Sequence, residues 1–454
     1  MIIRAEKDIS LNYEGRKVLV LGLARSGISA MKLLADAGAV VTGADENPAL
    51  EVPEDVDRSM IVLGEFDDSL LDSCSEIILS PGIPKEHGFV SKAVRRGIPV
   101  LGELELGYRF AEARLVAVTG TNGKSTTVNM IAHILDEAGM ETVAAGNVGV
   151  PLTSVARKIG PHGIIVVEVS SFQLETISTF RAGVSGILNL TPDHLDRYDS
   201  LDEYYEAKAR IVENAVEDDF LFYNAEDVRT LRIAKTFPGR TFPFSSSSVL
   251  DEGAYFDGER LVLSTEEGSE AFMSTDELKV VGIHNIENAL AAVAAVHPFG
   301  ISLDVCRKAL ATFKGLPHRM ELVAEIDGVA YYNDSKATNV EAALMSLKGI
   351  DRPVVLIAGG KDKGGNFGKL LEAADRLKAV ITIGEAASLI EEAIGNAIPT
   401  ARADTMHDAV EKAAKTAERG DIVLLSPACA SFDMFKNFEH RGEVFSSCVL
   451  NMRQ

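Results

Sequence analysis

The 454-residue sequence has no tryptophan and only four cysteines. Cys74, Cys306, Cys429 and Cys448 are too far apart in sequence for a metal knuckle or a redox pair. So sparse a set in a chain of this size fits a reducing compartment. No apolar run approaches the roughly 18 residues that suggest a membrane span, and Met1 to Asp8 carries no signal-peptide core. Basic residues are outnumbered, 45 Lys and Arg against 67 Asp and Glu, for a formal net charge of -22. General binding to nucleic acid or to anionic membranes is therefore disfavoured, and any site for a phosphate must gather its positive charge locally. A cytoplasmic protein with no nucleic-acid partner and no membrane insertion is expected. There is no tandem repeat and no low-complexity segment, Ser245 to Ser248 being only a short polar turn. What is present, 46% hydrophobic and 25% charged residues, describes an ordinary globular chain, long enough for about two to four domains.

The most informative stretch reads Val-Thr-Gly-Thr-Asn-Gly-Lys-Ser-Thr-Thr over residues 118–127. An apolar run from Leu115 leads in, and a helical pattern from Val128 to Leu135 leads out. Strand, glycine turn and helix in that order make a phosphate-binding loop. Without large side chains at Gly120 and Gly123 the backbone N–H groups can wrap a polyphosphate, and the helix N-terminus adds partial positive charge. Lys124 reaches the terminal phosphates and Ser125 offers its hydroxyl to Mg²⁺. The spacing is shorter than the standard one, with two residues between the glycines.

Before this loop, Lys17 to Leu21 reads as a buried strand, followed by Gly22-Leu23-Ala24-Arg25-Ser26-Gly27, a helical pattern, and a strand from Val40 that ends in Asp45. This is a Rossmann-like opening with Ala24 in place of the middle glycine, which keeps the backbone farther from a pyrophosphate. The motif alone leaves a dinucleotide and another nucleotide-type ligand equally open. Ile77 to Leu79 and Pro99 to Gly102 are further strands, and Glu103 to Ala111 is a connecting helix.

After the loop, Gly163 to Val169 is a buried strand interrupted near its end by Glu168. A lone buried carboxylate requires a cation or strong hydrogen bonds; beside a phosphate loop the natural cation is Mg²⁺, with a structural ion pair as the alternative. Val184 to Leu190 is the next strand and runs into Thr191 to Tyr198, which contains His194. Glu168 and His194 thus follow strands, where open sheets place ligands. Lys208, on a helix from Glu203 to Ile211 with Glu206 and Glu213 nearby, reads as a surface ion pair. Residues 253–264 suggest a hairpin. Asn285 and Asn288 share the first turn of an Ala-rich helix, where their amides either hold a base or cap the helix. From about Gly315 a second parallel-sheet unit begins, with strands at Val329 to Tyr332, Pro353 to Ala358 and Ile422 to Leu425 each running into a polar loop. Arg319, Lys336 and Lys363 beside those strand ends suggest an anion site.

Together these segments resemble the Mur ligase family of peptidoglycan synthesis, along essentially the whole chain. Gly120 to Thr126 resembles the family's ATP loop. His284-Asn285-x-x-Asn288, Leu316 to Arg319 and Asn333 to Asn339 are similar to shared family segments. Glu168 to Glu175 and Ser426 to Phe438 resemble the members that add D-glutamate. The resemblance implies an α/β chain of three domains: a Rossmann-like UDP-binding domain over 1–107, a central P-loop-type ATPase domain over 108–316, and a C-terminal Rossmann-like parallel-sheet domain over 317–454 that closes over the site. It implies that Ala24, Arg25, Asp45, Glu46 and Gly82 hold the UDP moiety, and that Asn147, Ser170 and Gln173 position the muramoyl-alanine end. Gly120, Asn122, Gly123, Lys124, Ser125, Thr126, Asn285, Arg319 and Asp334 match ATP-binding positions. Lys336, Thr338, Lys363, Ser431 and Phe438 match the region receiving D-glutamate. Ser125, Glu168, His194 and Lys208, the last as a carbamate, would hold Mg²⁺, two ions in all.

The implied reaction joins D-glutamate to UDP-N-acetylmuramoyl-L-alanine through an acyl phosphate, with Lys124, Glu168, His194 and Lys208 as catalytic residues in a monomer. A related ligase with a different acceptor or amino acid is the nearest alternative. A nucleotide-gated binding protein has no need of the further polar strand ends. Ala24 and the second phosphate loop disfavour a dinucleotide-dependent oxidoreductase.

Overall fold

A computed structural model describes residues 12–65, 67–72, 74–147, 149–193, 197–280 and 282–452. The reading of Met1 to Asp8 lies outside them. Among the described residues three sheets form.

The first contains β1 (Lys17–Leu21), β2 (Val40–Asp45), β3 (Ile61–Leu63), β4 (Glu76–Leu79) and β5 (Val100–Gly102) in the order β3-β2-β1-β4-β5. All neighbours are parallel. Val18 and Val20 of β1 point into one core and Leu19 and Leu21 into another. A strand covered on both faces has no room for polar alternation, which is why its sequence is a continuous apolar run. The strand order reverses between β1 and β4, and the Gly22 turn leaves β1 at that reversal.

The second sheet contains β6 (Arg114–Thr119), β7 (Thr142–Gly146), β8 (Ile164–Glu168), β9 (Val184–Ile187), β10 (Phe220–Asn224), β11 (Arg240–Ser245), β12 (Gly253–Phe256), β13 (Arg260–Thr265) and β14 (Gly268–Ser274). Their order is β14-β13-β12-β11-β10-β9-β6-β8-β7. From β7 across to β12 the pairing is parallel; β12, β13 and β14 add an antiparallel meander. The chain leaves β6 toward β7 and β8 on one side, then returns to β9 and β10 on the other. The loop after β6 therefore stands at a reversal of strand order, the place where open sheets take ligands. β9 ends at Ile187, earlier than the Leu190 expected from the sequence, so Leu188 to Leu190 belong to the loop.

The third sheet contains β15 (Glu321–Ile326), β16 (Val329–Asn333), β17 (Val354–Gly359), β18 (Leu377–Ile383), β19 (Thr400–Ala403) and β20 (Ile422–Leu425), ordered β15-β16-β20-β17-β18-β19. It is parallel except for β15, an antiparallel edge strand. Val354 and Leu356 of β17 face one core, Val355 and Ile357 the other.

The chain forms two compact units, residues 1–277 with 286–311, and 278–285 with 312–454. The first holds two of the three sheets, because one apolar core runs from Val18 and Val20 through Leu104 and Leu106 to Ala117 and Ile165. The helix Glu103–Phe110 joins them; its Glu105 accepts the backbone N–H groups of Ser178, Thr179 and Phe180 at 2.9–3.1 Å. Among the described residues no helix is long and apolar enough to cross a membrane.

Candidate active site

The loop after β6 carries the densest chemistry. Gly120 (φ 155°) and Gly123 (φ 83°) adopt backbone that side chains rarely tolerate, and Gly123 directly precedes the helix Lys124–Glu137. A Cβ at Gly123 would lie 2.4 Å from the Asn288 side-chain oxygen. That oxygen accepts a hydrogen bond from Thr127 Oγ1 at 3.1 Å, so Asn288 braces the start of the loop's helix. Asn189 holds the loop from the other side: its carbonyl accepts Thr121 N–H at 2.9 Å, and its side-chain oxygen accepts Asn122 N–H at 2.8 Å. Lys124 Nζ folds back onto the carbonyls of Gly120 and Thr121, both at 2.8 Å. Ser125 and Thr126 are buried, and Thr126 Oγ1 has no hydrogen-bond partner among the described residues.

Lys208 corrects the surface ion pair expected from its acidic neighbours in sequence. The helix Leu201–Ala209 turns Tyr204, Tyr205, Ala207 and Lys208 inward, and Lys208 is 2% exposed. Its Nζ donates to the Gly120 carbonyl at 2.9 Å, the same oxygen that Lys124 uses, and sits 4.8 Å from the Tyr204 ring centre. Burial, then the charge of Lys124, push the Lys208 amine well below its usual pKa, against the opposing pull of Asp193 and Glu168. Tyr204 also meets the loop, its hydroxyl lying 3.2 Å from Thr121 Oγ1.

Glu168 closes β8, in register with Val118 of β6 and Gly146 of β7, so it reaches the same sheet end as the loop. It is 3% exposed. Its Oε1 accepts Asn147 Nδ2 at 3.0 Å, and its carbonyl accepts Asn147 N–H at 2.9 Å. Ser170 and Gln173 form a capping box at the helix Ser171–Leu174, Gln173 Oε1 accepting from Ser170 N–H and Oγ at 3.0 Å. His194 lies outside the described residues. No group of three or more His, Cys, Asp or Glu that could hold a metal assembles among the described residues.

The loop after β1 repeats the backbone device with other side chains. Gly22 (φ 85°) turns the chain, and a Cβ there would meet Ser80 Cβ at 2.8 Å. Ala24 precedes the helix Arg25–Asp36 and gives it no side-chain cap. Asp45 at the end of β2 accepts Leu23 N–H at 2.7 Å and Asn47 N–H at 2.9 Å, so its carboxylate shapes the loop itself. Glu46 reaches His87 at 3.0 Å. Gly82 follows β4, and a Cβ there would meet nothing within 4 Å.

In the second unit, Asp334 at the end of β16 is buried. It accepts from Met320 N–H at 3.2 Å, Ser346 Oγ at 2.6 Å and Ser426 Oγ at 2.8 Å. Burial raises its pKa to about 6 despite those bonds. Arg319 stands in a turn between His318 (φ 62°) and Met320 (φ 44°). Its charge, after burial, helps depress His284 to about pKa 4, and Asn285 lies against His284 at 3.1 Å. Lys336 Nζ sits 4.0 Å over the Phe438 ring centre, and Lys336 O accepts Thr338 N–H at 2.8 Å. Ser431 is buried, its carbonyl accepting from Met434 and Phe435 N–H. Lys363 follows Asp362, whose Oδ1 accepts the N–H groups of Gly364 and Gly365. Buried Arg441, which sequence reading passed over, ties this region together: it donates to Ser335 O at 2.8 Å, Cys429 O at 3.1 Å and Ala430 O at 3.2 Å.

Three α/β sheets, one bearing a phosphate loop at its strand-order reversal with two lysines gathered on a single carbonyl, define a nucleotide-handling enzyme class. The comparisons narrow it. The N-terminal domain of the Mur ligase MurD-like type matches residues 16–102, the Mur ligase middle domain 118–296, and the Mur ligase glutamate ligase domain 318–429. A UDP-N-acetylmuramoylalanine–D-glutamate ligase of Caldanaerobacter subterraneus subsp. tengcongensis is 40% identical, over 98% of this chain and 100% of its own. Another of that name, from Pelotomaculum thermopropionicum, is 43% identical over 98% and 99%. Among solved structures, the UDP-N-acetylmuramate-alanine ligase MurC of Thermotoga maritima superposes with a TM-score of 0.64 at 18% identity, over 96% of this chain and 99% of that one. The chain belongs to the Mur ligase family.

Proposed function

We infer that the chain is an ATP-dependent ligase that joins the amine of D-glutamate to the carboxylate of UDP-N-acetylmuramoyl-L-alanine, making a peptidoglycan precursor in the cytoplasm. One observation carries the reading: Lys124 and Lys208 meet at the Gly120 carbonyl, at the sheet end that also holds buried Glu168. It gains force from two relatives of that name, 40% and 43% identical over nearly the whole chain.

A carboxylate is a poor electrophile. The γ-phosphoryl of ATP is transferred to one of its oxygens, giving an acyl phosphate and ADP. The amine of D-glutamate then adds to the carbonyl carbon, and the tetrahedral intermediate expels phosphate together with that oxygen. The loop N–H groups from Gly120 to Thr126 cradle the phosphates, and Lys124 swings from the loop carbonyls to meet charge developing on the transferred group.

The donors fit Mg²⁺ in kind. Glu168 is a buried carboxylate whose Oε1 accepts from the Asn147 amide, and Ser125 supplies a hydroxyl. Protonated Lys208 has no lone pair for a metal; its buried amine, carbamylated by CO₂, becomes an oxygen donor. With His194 these residues would hold two ions, which supply neutralisation of phosphate charge. Asn147 orients Glu168 from the muramoyl-alanine side, with Ser170 and Gln173. The Gly22–Gly27 turn with Ala24 and Arg25, together with Asp45, Glu46 and Gly82, takes the UDP moiety. Asn285, Arg319 and Asp334 serve the nucleotide, and Lys336, Thr338, Lys363, Ser431 and Phe438 the incoming D-glutamate. The three domains divide at about residues 107 and 316, consistent with one sheet in each.

Phosphate release from ATP and Mg²⁺ with the nucleotide sugar, comparing D-glutamate, L-glutamate and no amino acid, tests the assignment. Release that requires both the sugar and D-glutamate is expected. Release indifferent to D-glutamate would retain the ATPase and point to a ligase of other specificity.

A further inference from the structure

The stretch after β8, through Glu175, and the pair Arg197-Tyr198 are more than twenty residues apart in sequence, and one small cluster locks them together. The Glu175 side chain is 7% exposed and that of Arg197 17% exposed. Arg197 Nη2 donates to Glu175 Oε2 at 3.0 Å, and Tyr198 OH donates to Glu175 Oε1 at 2.5 Å. The Arg197 guanidinium also lies 4.0 Å over the Phe172 ring centre, and the Phe172 and Tyr198 rings stack at 6.0 Å. One turn thus contributes a carboxylate and a ring, the other a guanidinium and a phenol, and each group grips two partners. Phe172 belongs to the short helix capped by Ser170 and Gln173. Tyr198 packs 5.4 Å from Tyr204, whose hydroxyl meets Thr121 of the phosphate loop.

We propose that Glu175 and Arg197 are positioning residues, a clasp that fixes the chain at Arg197 and Tyr198, which follow His194 by three and four residues in sequence, against the turn containing Ser170 and Gln173, so that metal binding and nucleotide-sugar binding are set by one piece of structure. The inference rests on the ligase reading above. A charge-assisted contact in a half-buried site is screened little by salt and is directional. Removing the carboxylate leaves the guanidinium without its counter-charge, and the two turns lose their common anchor.

The test uses the full chain. Mn²⁺ affinity, read by electron paramagnetic resonance with a non-hydrolysable ATP analogue, and calorimetric affinity for UDP-N-acetylmuramoyl-L-alanine are measured for Glu175→Gln, Arg197→Met and the double variant. Each single variant is expected to weaken both affinities by about tenfold, as loss of a residue supporting metal ligands does. The double variant should be no weaker than the worse single one, and Arg197→Lys should recover most of the loss. Tyr198→Phe, which removes only a hydroxyl, serves if a charge variant folds poorly, and should weaken both affinities in the same sense. Unchanged affinities, or losses that add and follow the thermal midpoint alone, would overturn the clasp. A wild-type protein that binds neither Mn²⁺ with the nucleotide nor the nucleotide sugar would instead overturn the ligase reading beneath it.

Discussion

The loops after β1 and β6 use the same backbone device to opposite electrostatic ends. Each leaves a parallel strand at a strand-order reversal, turns on a glycine with positive φ, and enters a helix. After β6 the turn gathers cations, Lys124 and Lys208 sharing the Gly120 carbonyl. After β1 the loop is held by an anion, Asp45 accepting the N–H groups of Leu23 and Asn47. The backbone supplies N–H groups and a helix terminus in both places; the side chains decide the use each loop makes of them. Converging lysines suit a polyphosphate whose charge must be neutralised while it reacts. A loop braced by a carboxylate suits a nucleotide held for recognition, with no chemistry at its phosphates.

Substitutions can break that contrast, beginning with the largest effect. Lys124→Ala should lower turnover by about 10²–10³-fold, the scale of one removed donor to developing charge, with circular dichroism unchanged; near-normal phosphate release would sink the phosphate-loop assignment. Lys208→Ala should lose roughly 10²-fold, and added short-chain carboxylates should restore part of it by replacing the carbamate oxygens. Activity indifferent to the substitution would remove that role. Asp45→Ala should act differently, raising KM for the nucleotide sugar roughly tenfold, the scale of a lost charge-assisted hydrogen bond, while kcat and KM for ATP stay close to wild type. A kcat collapse like that of Lys124→Ala would erase the distinction between the loops.

A smaller, pH-dependent effect sharpens the point that buried charge is placed by surroundings. Asp334 is raised from 3.8 to about 6 by burial, so between those values the native state holds a proton that the unfolded chain has lost, and stability falls as pH rises through that window. His284, depressed from 6.5 to about 4, does the reverse: the unfolded chain holds the proton, and stability rises with pH over that interval. Asp334→Asn should therefore leave a steeper rise of stability between pH 4 and 6 than wild type shows, measured by urea denaturation at each pH. An unchanged slope would contradict the burial of the charge.

Much of this was legible in the sequence because the informative strands are buried on both faces and end at the site. Lys17 to Leu21, Leu115 to Thr119 and Ile422 to Leu425 announce themselves as apolar runs, and the glycines and polar groups that come after them make up much of the proposed site. Lys208 was not legible from its own surroundings. Glu206 and Glu213 are near it in sequence, and only the packing of Tyr204 and Tyr205 against the rest of the fold shows which face of the helix is buried; the metal role proposed for it came from family resemblance, where local pattern pointed to the surface. β7 escaped because Thr-Val-Ala-Ala-Gly has little strand character of its own and is a strand through its register with β8, which is also what brings Asn147 to Glu168. Asn189 looked like strand and instead holds the loop after β6, since β9 stops at Ile187. Arg441 gave no signal: its partners are the carbonyls of Cys429 and Ala430 in the loop before its helix and both oxygens of Ser335, 106 residues earlier, which no local pattern encodes.

The central claim is that ATP activates the carboxylate of the nucleotide sugar. The most direct measurement labels that carboxylate of UDP-N-acetylmuramoyl-L-alanine with ¹⁸O and analyses the phosphate released during turnover with D-glutamate. Transfer through an acyl phosphate predicts one ¹⁸O in each inorganic phosphate formed from the fully labelled substrate. Phosphate carrying no label would show that ATP is cleaved without activating that carboxylate, and would contradict the account.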